Sequence, residues 1–391
     1  MTRCLAAIGL LLAFAVQAGA TFAGGSVTIG YLGLSDDPRY QPDLVYTRIE
    51  INPPDDPTFG AKMGVDDLGI IGQAVGMSFT LDFEKAADIT GLVDAVRRMV
   101  AAGEHFVIVD LPASLLDQVA ALTRDQPVTL INATAPDDYL RTRCYPNLLH
   151  SAASDRMLAD AMVQYLRTQN WTRVLVLYGE EKRDKEIADA FTAAAQRLRL
   201  DIADTRQFTL ATDPANREQN NAKLITGGAD YDLVFLADSF GEFGRYLPYA
   251  TQLPRPVVGT AGLVASAWHW SADHDSATQV TLRFGRFTNG LRMTGHDWST
   301  WMAAKAIVTS YVKANSEDFK KVDAFMRSNR LRVDGSKGVS MNFRPWDGQL
   351  RMPIMLSTSN AVIDVAPLEG FLHQTNVLDT LGTDEPEFKC Q

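Results

Sequence analysis

Short apolar runs alternate with stretches of helical periodicity along most of this 391-residue chain. Residues 27–34 (VTIGYLGL) read as a first buried strand, and residues 76–83 (GMSFTLDF) as the next. After them Ile89, Val93, Val96 and Val100 recur at helical spacing, and Gly103 supplies a stop signal. A strand at 106–111, a helix beginning at Ser114 and a strand at 128–131 follow. Ser154 is placed to cap the helix that starts DRMLADAM. A second set then opens with a strand at 173–179, a helix at 185–200 and strands at 232–238 and 256–259. Strands and helices in this order predict an α/β fold, with parallel sheets covered by helices on both faces. The two sets divide near His150-Ser151. The polar, proline-bearing segment 38–56 predicts a loop, and long loops of this kind often touch a ligand. No short repeat, heptad pattern or low-complexity tract interrupts the alternation.

In open parallel sheets, ligands bind beyond the carboxyl ends of the strands. That rule selects the loops at 33–40, 110–114, 132–136, 179–184, 238–242 and 260–270.

The start of the chain sets the expected compartment. Arg3 precedes an apolar stretch from Leu5 to Val16, and the small residues Ala18 and Ala20 follow, with Ala23 as a second possible cut. The pattern is that of a secretory signal peptide over residues 1–20, too short for a membrane span. Cys4 lies too early to be a lipid-anchor cysteine, so the expected product is a soluble exported protein. Without that segment two cysteines remain, Cys144 and Cys390. In an oxidising compartment they form either one disulfide or two isolated buried thiols. The remaining length, about 370 residues, exceeds one ordinary core and implies two lobes. A net charge of −10 argues against nucleic acid as partner. It leaves room for a small anion held by local arginines. No later run is long and apolar enough to cross a bilayer.

The common catalytic patterns do not occur. There is no Gly-x-Ser-x-Gly elbow, no phosphate loop ending in Gly-Lys-Ser/Thr, no His-Glu-x-x-His and no dinucleotide fingerprint after the first strand. His269 and His274 lie near Asp273 and Asp275, where a solvated polar loop is the better reading than a metal site. The adjacent acid pairs Asp36-Asp37, Asp55-Asp56 and Asp66-Asp67 diverge on any regular element and read as surface charge. The expected protein is therefore not an enzyme.

The stretches VTIGYLGL, LINATAPDD with NLLHSAASD, RVLVLYGEEKRDKEIADAF, YDLVFLAD and PVVGTAGL together resemble the type I periplasmic solute-binding proteins, which include the branched-chain amino-acid receptors of ABC transporters. The resemblance covers nearly the whole mature chain, although no single motif is sharp. It implies two Rossmann-like lobes joined by three crossing segments, with ligand closed between them. The crossings fall near 149–151, 268–272 and 340–343, giving one lobe of 26–149 plus 273–339 and another of 150–272 plus 340–391. The stretches RPVVGTAGLVASAWHW, TLRFGRF and GHDWSTWMAAKAI are similar to the solute-binding proteins encoded with alcohol dehydrogenases dependent on pyrroloquinoline quinone (PQQ). That likeness implies PQQ, or a compound of quinoprotein alcohol oxidation, as the bound ligand. It implies an ABC permease and a PQQ-dependent alcohol dehydrogenase as partners. A receptor for an alcohol-derived acid or amino acid, or a periplasmic sensor without transport, is the alternative.

Amino-acid receptors of the family hold the ligand carboxylate with backbone amides and hydroxyls. Asn132, Ala133 and Thr134 match that position, and Asp110 to Ala113, with Pro112, match the other loop of the first lobe. The acidic residue that meets the ammonium is replaced by Ala261, and an aromatic position by Lys182 and Arg183. Both departures point from a zwitterion toward an anion. PQQ is planar and carries three carboxylates, so it calls for guanidinium forks and aromatic faces. The selected loops offer Arg39, Arg141, Arg143, Lys182 and Arg183, together with Tyr40, Phe240, Trp268, Trp270 and Trp298, with Ser239 and Thr260 beside them. Lys182 could also add to a quinone carbonyl if its pKa were lowered. Against these readings, Lys182 and Arg183 sit in a charge run that a solvated loop explains. Trp298 and Trp301 stand three apart, as core residues of a helix do. Trp268 and Trp270 alternate, so one can face the cleft while the other packs inward. Arg141 and Arg143 can pair with Asp137 and Asp138, and His150 reads as structural.

Overall fold

The computed structural model describes residues 25–41, 56–210 and 214–391. The expected signal segment and most of the loop 38–56 lie outside the described residues.

The first set of elements runs β1 (Gly25–Leu34), α1 (Thr58–Ala74), β2 (Met77–Ala86), α2 (Ile89–Ala101), β3 (Phe106–Asp110), α3 (Ala113–Leu122), β4 (Thr129–Asn132), the single turn α4 (Tyr139–Thr142) and β5 (Leu148–His150). Their strands form one parallel sheet in the order β2-β1-β3-β4-β5. Every residue of β3 and β4 is buried, as expected where helices cover both faces. α2 shows how the local sequence sets an element. The Asp88 carboxylate caps its start by accepting from the Gly91 amide, and Gly103 beyond its end takes a positive φ of 90°. Leu92, Val93, Val96 and Met99 form its buried stripe. Each such side chain contributes about 1.5–3 kcal/mol relative to exposure.

The second set runs α5 (Asp155–Thr168), β6 (Arg173–Tyr178), α6 (Lys182–Arg197), β7 (Asp201–Gln207), α7 (Arg217–Asn220), α8 (Ala222–Ile225), β8 (Leu233–Ala237), α9 (Leu247–Ala250) and β9 (Val257–Gly259). Its parallel sheet has the order β7-β6-β8-β9. In both sheets the strand order reverses beside the first strand of the set, so each has a switch point at its carboxyl end.

The rest of the chain serves both layers. It comprises β10 (Val264–Ser266), α10 (Ala277–Phe287), α11 (Gly295–Ala314), α12 (Phe319–Met326), β11 (Val333–Asp334), β12 (Ser340–Met341), β13 (Ile354–Ser357) and β14 (Val362–Ala366). α11 packs along α1, and Asp323 of α12 accepts a hydrogen bond from Thr129 of β4. The antiparallel sheet β10-β13-β14 packs on α5. Residues 340–341 belong to a hairpin with β11, and the chain then turns back at 343–350 to run beside His150. Cys144 and Cys390 are joined, with their Cα atoms 5.6 Å apart, so of the two expected states of these cysteines the disulfide is the one present.

Candidate functional site

At the carboxyl end of the first sheet the side chains converge on one carboxylate. Asp110, the last residue of β3, is 5 % exposed. Its oxygens accept from the Tyr31 hydroxyl at 3.1 Å, the Tyr40 hydroxyl at 2.7 Å, the Thr134 hydroxyl at 2.8 Å and Arg39 Nη2 at 2.9 Å. The same guanidinium grips Asp37 through Nε and Nη2 and reaches Thr134 Oγ1 through Nη1 at 3.1 Å. Burial alone would lower the Arg39 pKa, but the hydrogen bond to Asp37 together with the charges of Tyr40, Asp110 and Asp37 raises it. Burial, then the charge of Asp110, pushes the Tyr31 hydroxyl well above its ordinary range. Two carboxylates thus hold one guanidinium, and Arg39 offers no unoccupied fork to an incoming anion.

The expected carboxylate cradle is filled from within. Asn132 Oδ1 accepts from the amides of Thr134 at 3.3 Å and Ala135 at 2.9 Å, while the Ala133 amide donates to the Val109 carbonyl. Ala133 is fully buried, and Pro112 is a half-buried residue at the start of α3. His150 lies beneath this loop, 3.1 Å from Asn132 Nδ2. Burial and then the charge of Arg141 hold its pKa well below the ordinary value, so the neutral ring has a packing role.

At the end of the second sheet, α6 starts with a capping box between Glu181 and Asp184, and Asp184 also accepts from the Ser239 amide. Ser239 is exposed and Phe240 half-buried on the loop after β8. Thr260 Oγ1 accepts from the Asp238 amide at 3.0 Å. Ala261 packs with the apolar cluster of Phe243 and Leu247. Lys182 departs from the expectation. Its side chain is 90 % exposed and paired with Glu186 at 2.8 Å. The hydrogen bond to Glu186 raises its pKa, the reverse of what addition to a carbonyl requires.

Arg183 turns the other way. Both its Nη atoms lie 2.6 Å from the carboxylate of Asp155, the first residue of α5. The pair bridges the amino-terminal ends of two helices that open on the same side of the sheet. Beneath it is a cavity of about 120 Å³ between α5, α6, β8 and β10. Leu158, Met162, Ile187 and Phe235 line it, together with Arg183, Asp155 and Thr260. Phe235 is held flat against Phe191, with ring centroids 3.7 Å apart.

The expected tryptophan contacts are corrected by the core. Trp298 is 0 % exposed and donates from Nε1 to the Gly335 carbonyl at 3.0 Å. Trp268 lies stacked parallel to it, also buried, with centroids 6.5 Å apart. Lys337 Nζ sits 3.6 Å above the Trp298 ring and donates to the carbonyls of Ala267 and Pro353. Neither indole presents a face to a cleft, because α11 turns Trp298 inward and Trp268 fills the space beside it. Trp270 instead lies half-buried under Arg292. Arg141 is buried and tied to the carbonyls of Ala135, Asp137 and Ala152, and Arg143 pairs with Asp117. Tyr31 and Asp155 were missed from the sequence, and Asp37, read there as surface charge, is buried at 6 % exposure because it pairs with Arg39. Only Asp155 left a signal, as an acid in the first turn of a capped helix.

Residues 60–361 match the family model described as periplasmic binding protein. The chain belongs to the periplasmic binding protein family. No curated protein sequence matches it. Among solved structures, the fold is similar to a branched-chain amino acid ABC transporter periplasmic ligand-binding protein from Burkholderia xenovorans, with a TM-score of 0.69 and 14 % identity over 87 % of this chain and 95 % of that one. It is similar to an ABC transporter substrate-binding protein from Desulfitobacterium hafniense in complex with Leu, with a TM-score of 0.65 and 14 % identity over 86 % and 99 %. A solute-binding protein of an ABC transporter from R. palustris, in complex with 4-hydroxybenzoate, gives a TM-score of 0.63 and 12 % identity over 87 % and 97 %. Likeness at these identities concerns the fold. Among its described residues no helix is long and apolar enough to cross a membrane.

Proposed function

We propose that this binding protein captures a small monocarboxylic acid with an aromatic or branched apolar body and presents it to an ABC permease. One observation carries the reading: a largely apolar cavity at the second sheet whose lining includes a single arginine, Arg183. The body of the ligand packs against Leu158, Met162, Ile187 and Phe235, and its carboxylate competes with Asp155 for the Arg183 fork. Cavities of about 150 Å³ hold one benzene ring, so the volume here suits a single ring or a branched chain. The two structural relatives bound to Leu and to 4-hydroxybenzoate support that ligand class. Lobes of 26–149 plus 273–339 and 150–272 plus 340–391 close over it, and ligand favours the closed state only through contacts made there.

PQQ is the larger alternative. Its three carboxylates would need Arg39 released from Asp37 and Asp110 and Arg183 released from Asp155. A monoacid needs only the last of these. A dehydrogenase partner follows only from the PQQ alternative.

Calorimetric titration with 4-hydroxybenzoate, leucine and PQQ separates these ligands. Saturable binding of 4-hydroxybenzoate or leucine, weakened about tenfold in Arg183→Gln, is expected; tenfold corresponds to about 1.4 kcal/mol. Binding of PQQ alone would replace the monoacid reading with the quinone one.

A further inference from the structure

The Arg183–Asp155 pair is set among further acids. Asp137 and Asp138, in the loop before α4, and Glu186, one turn along α6, surround it. Glu186 Oε2 lies 3.7 Å from Arg183 Nη1, and Asp138 accepts from the Arg156 amide at 3.1 Å. Burial holds the Asp137 and Asp138 carboxyls above their ordinary range, and the negative charge of Asp155 adds to both.

The other cations nearby are engaged elsewhere. Lys182 is solvated and held by Glu186, and Arg156 pairs with Glu387. Arg141 is buried, and its donors go to three backbone carbonyls and the Gln349 side-chain oxygen. On α4, burial and then the charge of Asp137 push the Tyr139 hydroxyl up to about 12, so it stays neutral. Neither β8 nor β10 gives the cavity a charged side chain, and Asp155 and Arg183 are the charged groups of its lining.

Asp155 is also fixed in place. Ser154 caps α5 by accepting from the Met157 amide, and the Asp155 amide donates to the Pro136 carbonyl at 2.9 Å. The Asp155 side chain is 8 % exposed. A solute carboxylate that takes the Arg183 fork removes both charge-assisted hydrogen bonds from this buried group. It also sets a new anion beside Asp155, with Asp137 and Asp138 already close. The start of α5 favours a charged Asp155. Desolvation and the surrounding like charges oppose it, and two carboxyl groups in one site relieve that repulsion by sharing a proton.

We propose that the solute binds together with one proton, taken from solvent and shared between the carboxyl groups of Asp155 and the solute. The inference rests on the monoacid reading of the cavity and adds the control of that site by pH. One anion and one proton enter, so the acid-rich surroundings gain no net charge. The sign follows from linkage: the complex carries more protons than its free partners, so affinity rises as pH falls, by up to about tenfold per pH unit. The rise levels off where the free solute is itself protonated.

Calorimetric titration with 4-hydroxybenzoate at about pH 6.5, in buffers of different ionisation heat, counts the protons. Uptake of roughly 0.5–1 proton per solute is expected. Asp155→Asn keeps the shape of a protonated carboxyl and cannot ionise. It is expected to bind about tenfold tighter than the parent protein at about pH 7.5, without proton uptake. Parent binding with heats independent of the buffer would overturn the proposal and leave the monoacid reading standing. Proton uptake that persists in Asp155→Asn would place the proton elsewhere and also overturn it. Should that variant fail to fold, the proton count of the parent protein still decides. No saturable binding of 4-hydroxybenzoate at either pH would overturn the proposal through the monoacid reading on which it rests.

Discussion

At the end of the first sheet, Asp110 gathers four donors around one buried carboxylate; at the end of the second, Arg183 and Asp155 span two helix starts above an apolar cavity. Both regions occupy the position where open parallel sheets hold ligands. In the first, donors and acceptors are matched internally, so the network fixes the loops and leaves little to give a solute. In the second, the polar groups are few and the space between them is apolar. A ligand entering there removes apolar surface from water, worth roughly 25 cal/mol per Å². The same position thus holds a matched polar network in one sheet and an apolar cavity in the other.

The sharpest way to break the wall is Asp110→Ala. Removing a buried carboxylate that accepts four hydrogen bonds is expected to cost about 3–5 kcal/mol of stability, read by urea denaturation. An unchanged denaturation midpoint would mean the network is dispensable. Next in size, Ile187→Phe places an extra ring in the cavity of the second side. Acid binding should weaken about a hundredfold, roughly 2.7 kcal/mol, while stability falls by less than about 1.5 kcal/mol. Full affinity in that variant would move the solute elsewhere. Smaller again is Arg183→Gln, about tenfold in affinity, for the carboxylate contact alone. Smallest is Lys182→Ala, expected to leave affinity within about twofold because the ammonium is solvated and held by Glu186. A large loss there would restore the lysine to the site.

Much of the scaffold was legible because buried parallel strands carry continuous apolar runs, as in β3, β4, β6 and β8. α1 was not. Its contact face is built from Gly60 and Gly64, where a Cβ would meet the Asp297 carbonyl at 1.9 Å and the Ala304 methyl at 2.8 Å across α11. Close approach of two helices replaced the apolar stripe that periodicity would reveal. β7 was hidden too, since an edge strand reading DIADTRQ has little to bury. For the site, the strand-end rule selected loops and left the facing of their side chains open. Spacing could not show that Asn132 would fold back onto its own loop. Nor could it show that Arg183 would meet a carboxylate 28 positions away. The tryptophans went astray for the same reason: their place on an element was readable, their direction was not.

The Cys144–Cys390 bridge makes more than half of the sequence a covalent ring. A single proteolytic cut anywhere between those cysteines leaves one molecule that migrates intact until reductant is added. A cut before residue 144 releases a separate fragment at once. Digestion followed by electrophoresis with and without reductant therefore sorts cleavage sites by side of the ring, without any need to sequence the products.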